Sequence, residues 1–164
     1  MLVRPASEGD AASIAAIYNE GIEDRVATFE TTPRSGDDVV GWLSSPLPVL
    51  VAEIDGEVAG FARVAPYSDR CVYGGVGEHG VYVARWARGG GFGRALLDAL
   101  AGAAEEAGLY KLTARIFSDN EPSLAAHRAA GFREVGVQER HGRLDGEWRD
   151  VVLVERLLGE AASS

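Results

Sequence analysis

The run Arg88-Gly89-Gly90-Gly91-Phe92-Gly93-Arg94 sets four glycines between two arginines, at a point where the apolar strand pattern Val81-Tyr82-Val83 gives way to a helical one. At such a junction the first backbone N–H groups of the helix have no partner within it and can converge on one anion. Glycine there permits unusual φ angles and close approach of a phosphate group, although a flexible surface turn would read the same way. A second pattern lies downstream, where Asn120, Ser123 and His127 stand at i, i+3 and i+7 and share one face of a helix. They read either as a cap followed by surface residues, or as a polar line that bonds an extended ligand and brings His127 to a reacting centre.

Two other nucleotide signatures fail on context. Gly75-Val76-Gly77-Glu78-His79-Gly80 has the spacing of a dinucleotide fingerprint, yet it precedes a strand instead of opening a helix and reads as a loop. The run from Arg88 to Arg94 does not end in Lys followed by Ser or Thr, which disfavours a phosphate loop of the nucleotide hydrolases.

The elements that must carry these residues follow from periodicity. Leu2 to Pro5 reads as a strand, 8–22 as a helix with Ile14, Ile17, Tyr18 and Ile22 at helical spacing, and 33–43 as a second helix. Val49–Ile54 and 58–64 flank Asp55-Gly56 and form an antiparallel hairpin. Then come a strand over 80–84, the glycine turn and its helix, a strand over 109–117, a helix over 121–130 closed by Gly131, and a final strand pair, 133–140 with 148–157. This is a mixed α/β arrangement in which strands outnumber helices. It predicts one domain over 1–158 and a disordered tail over 159–164.

Composition narrows the function classes. With 16 Lys and Arg against 25 Asp and Glu the formal charge is -9, which would repel a phosphate backbone and disfavours nucleic acid as a partner. Cys71 is the single cysteine, so no intrachain disulfide forms. The beginning Met1-Leu2-Val3-Arg4-Pro5 lacks a signal-peptide pattern, and no run of about 18 apolar residues would span a membrane. The expectation is a soluble cytoplasmic protein with no membrane partner.

Arg88-x-x-Gly91-x-Gly93 after Val81-Tyr82-Val83, together with Asn120-x-x-Ser123-x-x-x-His127-x-x-x-Gly131-Phe132, resembles the signatures of the GNAT superfamily of N-acetyltransferases. The resemblance implies a mostly antiparallel sheet with flanking helices, splayed at the strand of Val81 to Val83. Acetyl-CoA would lie in the gap, with pantetheine on Val81, Tyr82 and Val83, pyrophosphate on the turn formed by Arg88, Gly89, Gly90, Gly91, Phe92, Gly93 and Arg94, and further bonds from Asn120 and Ser123. A narrower resemblance, to the phosphinothricin and arsinothricin N-acetyltransferases and the related methionine sulfoximine enzymes, rests on segments along nearly the whole chain. They include Ile17-Tyr18-Asn19-Glu20-Gly21-Ile22, Ala27-Thr28-Phe29-Glu30, Pro66 to Tyr73, Glu78-His79-Gly80-Val81-Tyr82-Val83 and Gly146 to Val151. Histidine at position 127, where the wider superfamily usually carries tyrosine, supports the narrower group.

On this resemblance the acceptor is the α-amine of a small amino-acid-like molecule. An amine attacks a thioester only when unprotonated, so a base is required, and Glu78 is assigned to it. The Val83 N–H would stabilise charge on the thioester oxygen, and His127, with an ordinary pKa of about 6.5, would serve as acid or share the base duty. Arg70 would hold the fixed anion of a phosphinate or arsinate, with Ser68, Asp69, Tyr73, His79 and Gly80 lining the pocket and Phe29 and Glu30 closing it. No metal site is expected, because His79, His127, His141 and Cys71 show no ligand spacing. A homodimer is implied. The alternatives are acetylation of another amine, such as methionine sulfoximine, a polyamine or a protein N-terminus, and an acetyl-CoA-binding module without turnover.

Overall fold

A computed structural model describes all residues, Met1–Ser164. The chain folds as β1 (Leu2–Pro5), α1 (Ala11–Asp24), α2 (Gly36–Leu43), β2 (Val49–Ile54), β3 (Glu57–Pro66), β4 (Val76–Val83), α3 (Phe92–Glu106), β5 (Lys111–Phe117), α4 (Glu121–Ala129), β6 (Arg133–Leu144), β7 (Glu147–Leu157) and α5 (Gly159–Ser163). Seven strands make one sheet in the order β1-β2-β3-β4-β5-β7-β6, and every neighbouring pair is antiparallel except β4 and β5.

Local chemistry explains the element ends. Asp55 and Gly56 have φ of 53° and 81°, the left-handed pair that a two-residue hairpin needs, and Asp145 and Gly146 repeat it between β6 and β7. Ser7 and Asp10 form a capping box ahead of α1, and Asp10 also accepts both arms of the Arg4 fork at 2.8 and 2.9 Å. The same guanidinium reaches Glu53 on β2, so one cation ties the first strand, its neighbour and the helix start together. Ser35 caps α2 in the same way with Asp38.

The helices divide between the two faces of the sheet. Successive residues of a strand point to opposite sides. On β4, Tyr82 packs on Tyr18 of α1 with ring centroids 5.1 Å apart, whereas the Nε2 atoms of His79 on β4 and His127 on α4 stand 3.0 Å apart. Thus α1 and α2 cover one face, and α3 and α4 the other, where Leu96, Leu97 and Leu100 of α3 are fully buried against the sheet. Burial of each such side chain contributes about 1.5–3 kcal/mol, which fixes α3 and therefore the glycine turn at its start.

Two expectations are corrected. Residues 76–80, expected as a loop, are the first part of β4, and their glycines serve packing: a side chain on Gly75 would run into the Tyr110 ring, and one on Gly77 would lie 2.9 Å from Leu109. The tail expected to be disordered contains α5, anchored by buried Leu158 and by Gly159 packed against Glu105.

Candidate active site

The parallel pairing of β4 with β5 is short. It runs from Val76 opposite Lys111 to Glu78 opposite Thr113 and then stops. Ala84 donates its N–H to Ala59 of β3 at 2.8 Å, and amides alternate along a strand, so the N–H groups of Val81 and Val83 face the opposite edge, where no strand pairs with them. Beyond Glu78 the sheet opens into a cavity of about 1110 Å³, walled by β4, β5, the start of α3 and the start of α4.

The glycine turn closes one end. Gly89 and Gly91 have φ of 84° and 83°, and Gly91 is the residue before α3. Ala95 is the first α3 residue with an N–H bonded back to the turn, at Gly91, which leaves the amides of 91–94 without helical partners at the positive end of the helix. Gly89, Gly91 and Gly93 line the cavity, and Gly90 does not. Phe92 is buried and contributes mainly packing. The arginines differ: Arg88 is tied to Asp24 at 2.9 Å and lies 3.4 Å from the Val83 carbonyl, while Arg94 is mostly exposed. The cavity wall holds five arginines against four carboxylates, although the chain as a whole is strongly acidic.

At the start of α4, Asn120 both caps the helix, accepting from the Ser123 N–H, and donates to the Val26 carbonyl at 2.9 Å. Ser123 lines the cavity beside it. Tyr82 contributes its backbone to the gap, while its ring stacks on Phe61 at 5.0 Å on the other face.

His127 is only 2% exposed, and its Nδ1 lies 2.7 Å from the Ser123 carbonyl. A carbonyl can only accept, so Nδ1 carries the proton and Nε2 of the neutral ring holds a lone pair. Nε2 stands 3.0 Å from Nε2 of His79, which must then be the donor. This leaves Nδ1 of His79 buried with no partner. Burial pushes His79 down to about 3 and lowers His127 as well, the Ser123 carbonyl opposing the shift at His127. The expectation that His127 titrates near its ordinary value is therefore corrected: both rings are neutral at pH 7, and His79 is a buried partner of His127. Phe132 packs on both rings, at 4.9 and 5.0 Å.

Glu78 sits at the end of the paired stretch, lining the large cavity and also a second recess under α1 and α2. Phe29, Glu30, His79 and Gly80 join it in the large cavity. Ser68, Asp69, Arg70 and Tyr73 line neither space; they lie on the loop before β4, where Ser68 accepts from the Arg70 N–H and the Arg70 guanidinium lies 5.6 Å from the Tyr73 ring. Sequence reasoning gave no role at the site to Arg25, Arg115, Asp119, His141 or Arg149, which stand at the cavity wall, nor to Tyr18, Arg34, Trp42 and Arg63 around the recess. For Arg63 a signal existed, since it is a cation inside an otherwise apolar strand, Phe61-Ala62-Arg63-Val64.

Comparison with known proteins agrees with this geometry. Residues 14–132 match the model of the Acetyltransferase (GNAT) family. The phosphinothricin N-acetyltransferase of Alcaligenes faecalis is 36% identical over 161 residues, covering 95% of this chain and 82% of the relative. The L-methionine sulfoximine/L-methionine sulfone acetyltransferase of Pseudomonas aeruginosa is 32% identical, over 99% of this chain and 97% of the relative. The crystal structure of a phosphinothricin acetyltransferase from Sinorhizobium meliloti in complex with AcCoA superposes with a TM-score of 0.91 at 33% identity, covering 99% of this chain and 91% of that one. A splayed sheet, a glycine turn at a helix start, a family match over residues 14–132 and a relative 36% identical over 95% of this chain lead to one conclusion: the chain belongs to the GNAT family of acetyltransferases.

Proposed function

We propose that the chain transfers the acetyl group of acetyl-CoA to the α-amine of a small amino-acid-like molecule of the phosphinothricin or arsinothricin type. The observation that carries this reading is the position of Glu78, where the gap on one side of β4 meets the recess on the other. A thioester donor in the gap and an amine in the recess would meet beside one carboxylate. The names of the relatives from Alcaligenes faecalis and Pseudomonas aeruginosa support an amino-acid-like acceptor.

In this reading the amides at the start of α3 hold the donor's pyrophosphate, and the unpaired N–H groups of Val81 and Val83 bond its extended arm as a neighbouring strand would. Acetyl-CoA supplies the activated acetyl group. Glu78 takes a proton from the acceptor ammonium, and the Val83 N–H receives the negative charge that develops on the thioester oxygen. Nitrogen loses two protons; one ends on the coenzyme A thiol and the other reaches solvent. Burial keeps His127 and His79 neutral; the Nε2 lone pair of His127 already accepts from His79, so His79 orients His127 and is not itself a proton carrier in this exchange.

Thiol release from acetyl-CoA, measured with phosphinothricin, arsinothricin, methionine sulfoximine and a polyamine, tests the proposal. Turnover with the amino acids and not with the polyamine is expected. Measurable acetyl-CoA binding with no thiol release from any amine would replace it with a binding module.

A further inference from the structure

Under α1 and α2 lies a recess of about 320 Å³ whose wall contains Tyr18, Arg34, Trp42, Arg63, Tyr82 and Glu78. At roughly 30 Å³ per water molecule it has room for the body of an amino acid. We propose that this recess is the acceptor's anion site, with Arg63 as its principal cation and Arg34 and the hydroxyls of Tyr18 and Tyr82 around it. The inference rests on the acetyltransferase reading above and assigns the acceptor's charged group to residues outside the Arg70 loop.

Arg63 is the unusual member. It is half-buried on β3 and forms no ion pair; the ionisable groups that bear on it are Tyr82, Tyr18 and Arg34, none of them a carboxylate, and burial lowers its pKa. Its guanidinium lies 4.2 Å from the Trp42 ring centroid, a contact that holds it without neutralising it. Arg34 lies 5.6 Å from the Tyr18 ring, its charge partly met by exposed Glu30 at 3.4 Å. A partly desolvated cation without a counter-ion is unfavourable by itself, and an arriving carboxylate or phosphinate would relieve it with a two-armed contact.

Register connects this cation to the reacting centre. Arg63 is opposite Gly80 and Ala65 is opposite Glu78, so Arg63 and Glu78 are diagonal neighbours on the same face, about 7–8 Å apart at the backbone. That separation suits a molecule with its amine at Glu78 and its anion at Arg63. Gly80 between them has no side chain, and the Tyr82 hydroxyl stands 3.5 Å from where its Cβ would be, directly over the path. Burial pushes the Tyr82 phenol up, so it remains a neutral donor.

The test compares Arg63→Gln, Arg34→Gln and Arg70→Ala with the unaltered protein. Thiol release is followed for phosphinothricin, for methionine sulfoximine and for the α-carboxamide of each, beside thermal unfolding and the KM for acetyl-CoA. Arg63→Gln should lower kcat/KM for the free acids by about tenfold or more, through KM, with acetyl-CoA KM unchanged. If the carboxamide of methionine sulfoximine escapes this loss, the bound anion is the α-carboxylate; if the carboxamide of phosphinothricin still shows it, the bound anion is the phosphinate. A loss of equal size for acids and for methionine sulfoximine carboxamide, or a loss confined to Arg70→Ala, overturns the proposal. Binding of the amine-free acid to the unaltered protein, measured by calorimetry with coenzyme A present, stands apart from turnover and from the folding of any variant. Binding there, weakened by Arg34→Gln, supports the site even if no amine is acetylated, and absence of binding overturns it.

Discussion

Replacing His79 with phenylalanine should change how stability depends on pH. The His79 ring is 7% exposed, and burial together with the neighbouring His127 holds its pKa at about 3, against an ordinary 6.5. Between those values the unfolded chain binds a proton that the folded chain refuses. Since the folded value is the lower one, the stability tied to neutral His79 is complete above 6.5 and drains away as the pH falls toward 3. At about 1.4 kcal/mol per pH unit, allowing for partial protonation near the start of the range, acidification from pH 7 to pH 5 should remove about 2 kcal/mol through His79 alone. Phenylalanine does not titrate and has Phe132 and His127 to pack against. It also removes the hydrogen bond to His127, an offset of about 1–3 kcal/mol present at both pH values. Carboxylates held low by cations, such as Asp10 beside Arg4, weaken both proteins alike in acid. The quantity to measure is therefore the difference between variant and unaltered protein, by urea unfolding at pH 7 and pH 5. It should swing toward the variant by about 2 kcal/mol, or about 4–8 °C in Tm. An identical difference at both pH values would show that His79 is not kept neutral by the fold, and the tautomer reasoning for His127 would go with it.

Glu78→Gln should lower kcat by about a hundredfold or more while calorimetric acetyl-CoA affinity stays within about twofold; an unchanged rate across pH would remove Glu78 from the base role. Gly91→Ala forces a side chain into a φ of 83° with open space around it, so backbone strain alone should lower stability by roughly 1–2 kcal/mol and raise the KM for acetyl-CoA, with the acceptor's KM unmoved. Equal rises in both constants would argue against a phosphate-binding turn. Asp10→Asn takes the carboxylate from the Arg4 fork and should cost about 1–3 kcal/mol in urea unfolding at pH 7. Because the pKa of Asp10 is held below its ordinary 3.8, that penalty should fade as the pH drops through the folded value and the native carboxylate protonates too.

The parts of the molecule governed by neighbouring residues were legible in the sequence. The helical spacing of Ile14, Ile17, Tyr18 and Ile22 became the buried face of α1, and Asp55-Gly56 became the β2–β3 turn. Asp145-Gly146 carried the same dipeptide signal, yet the strand before it was read as ending at 140; the irregular pairing between Gln138 and Gly142 interrupts its pattern. Gly75 and Gly77 look like loop residues because glycine usually is one, and only side chains of other strands and loops, Tyr110 against Gly75 and Val64 and Leu109 against Gly77, explain them as strand. The same limit applies to the site. The glycine turn and the α4 residues could be found locally, but the His79–His127 pair joins residues 48 positions apart, and nothing in either segment announces it.

The gap beside Val81 and Val83 also bears on solubility. A row of unpaired strand amides is what invites a foreign chain to add itself to a sheet, and most proteins blunt such rows with charge, proline or a covering element. Here the open stretch runs no further than Gly80 to Val83, because β5 seals it below Glu78 and the turn into α3 ends it above. Four residues recessed between helices offer too little length for an intruding polypeptide, yet enough for a ligand arm carrying one or two amides. The interruption that lets the sheet accept its donor is thus short enough to keep it from joining a neighbouring sheet.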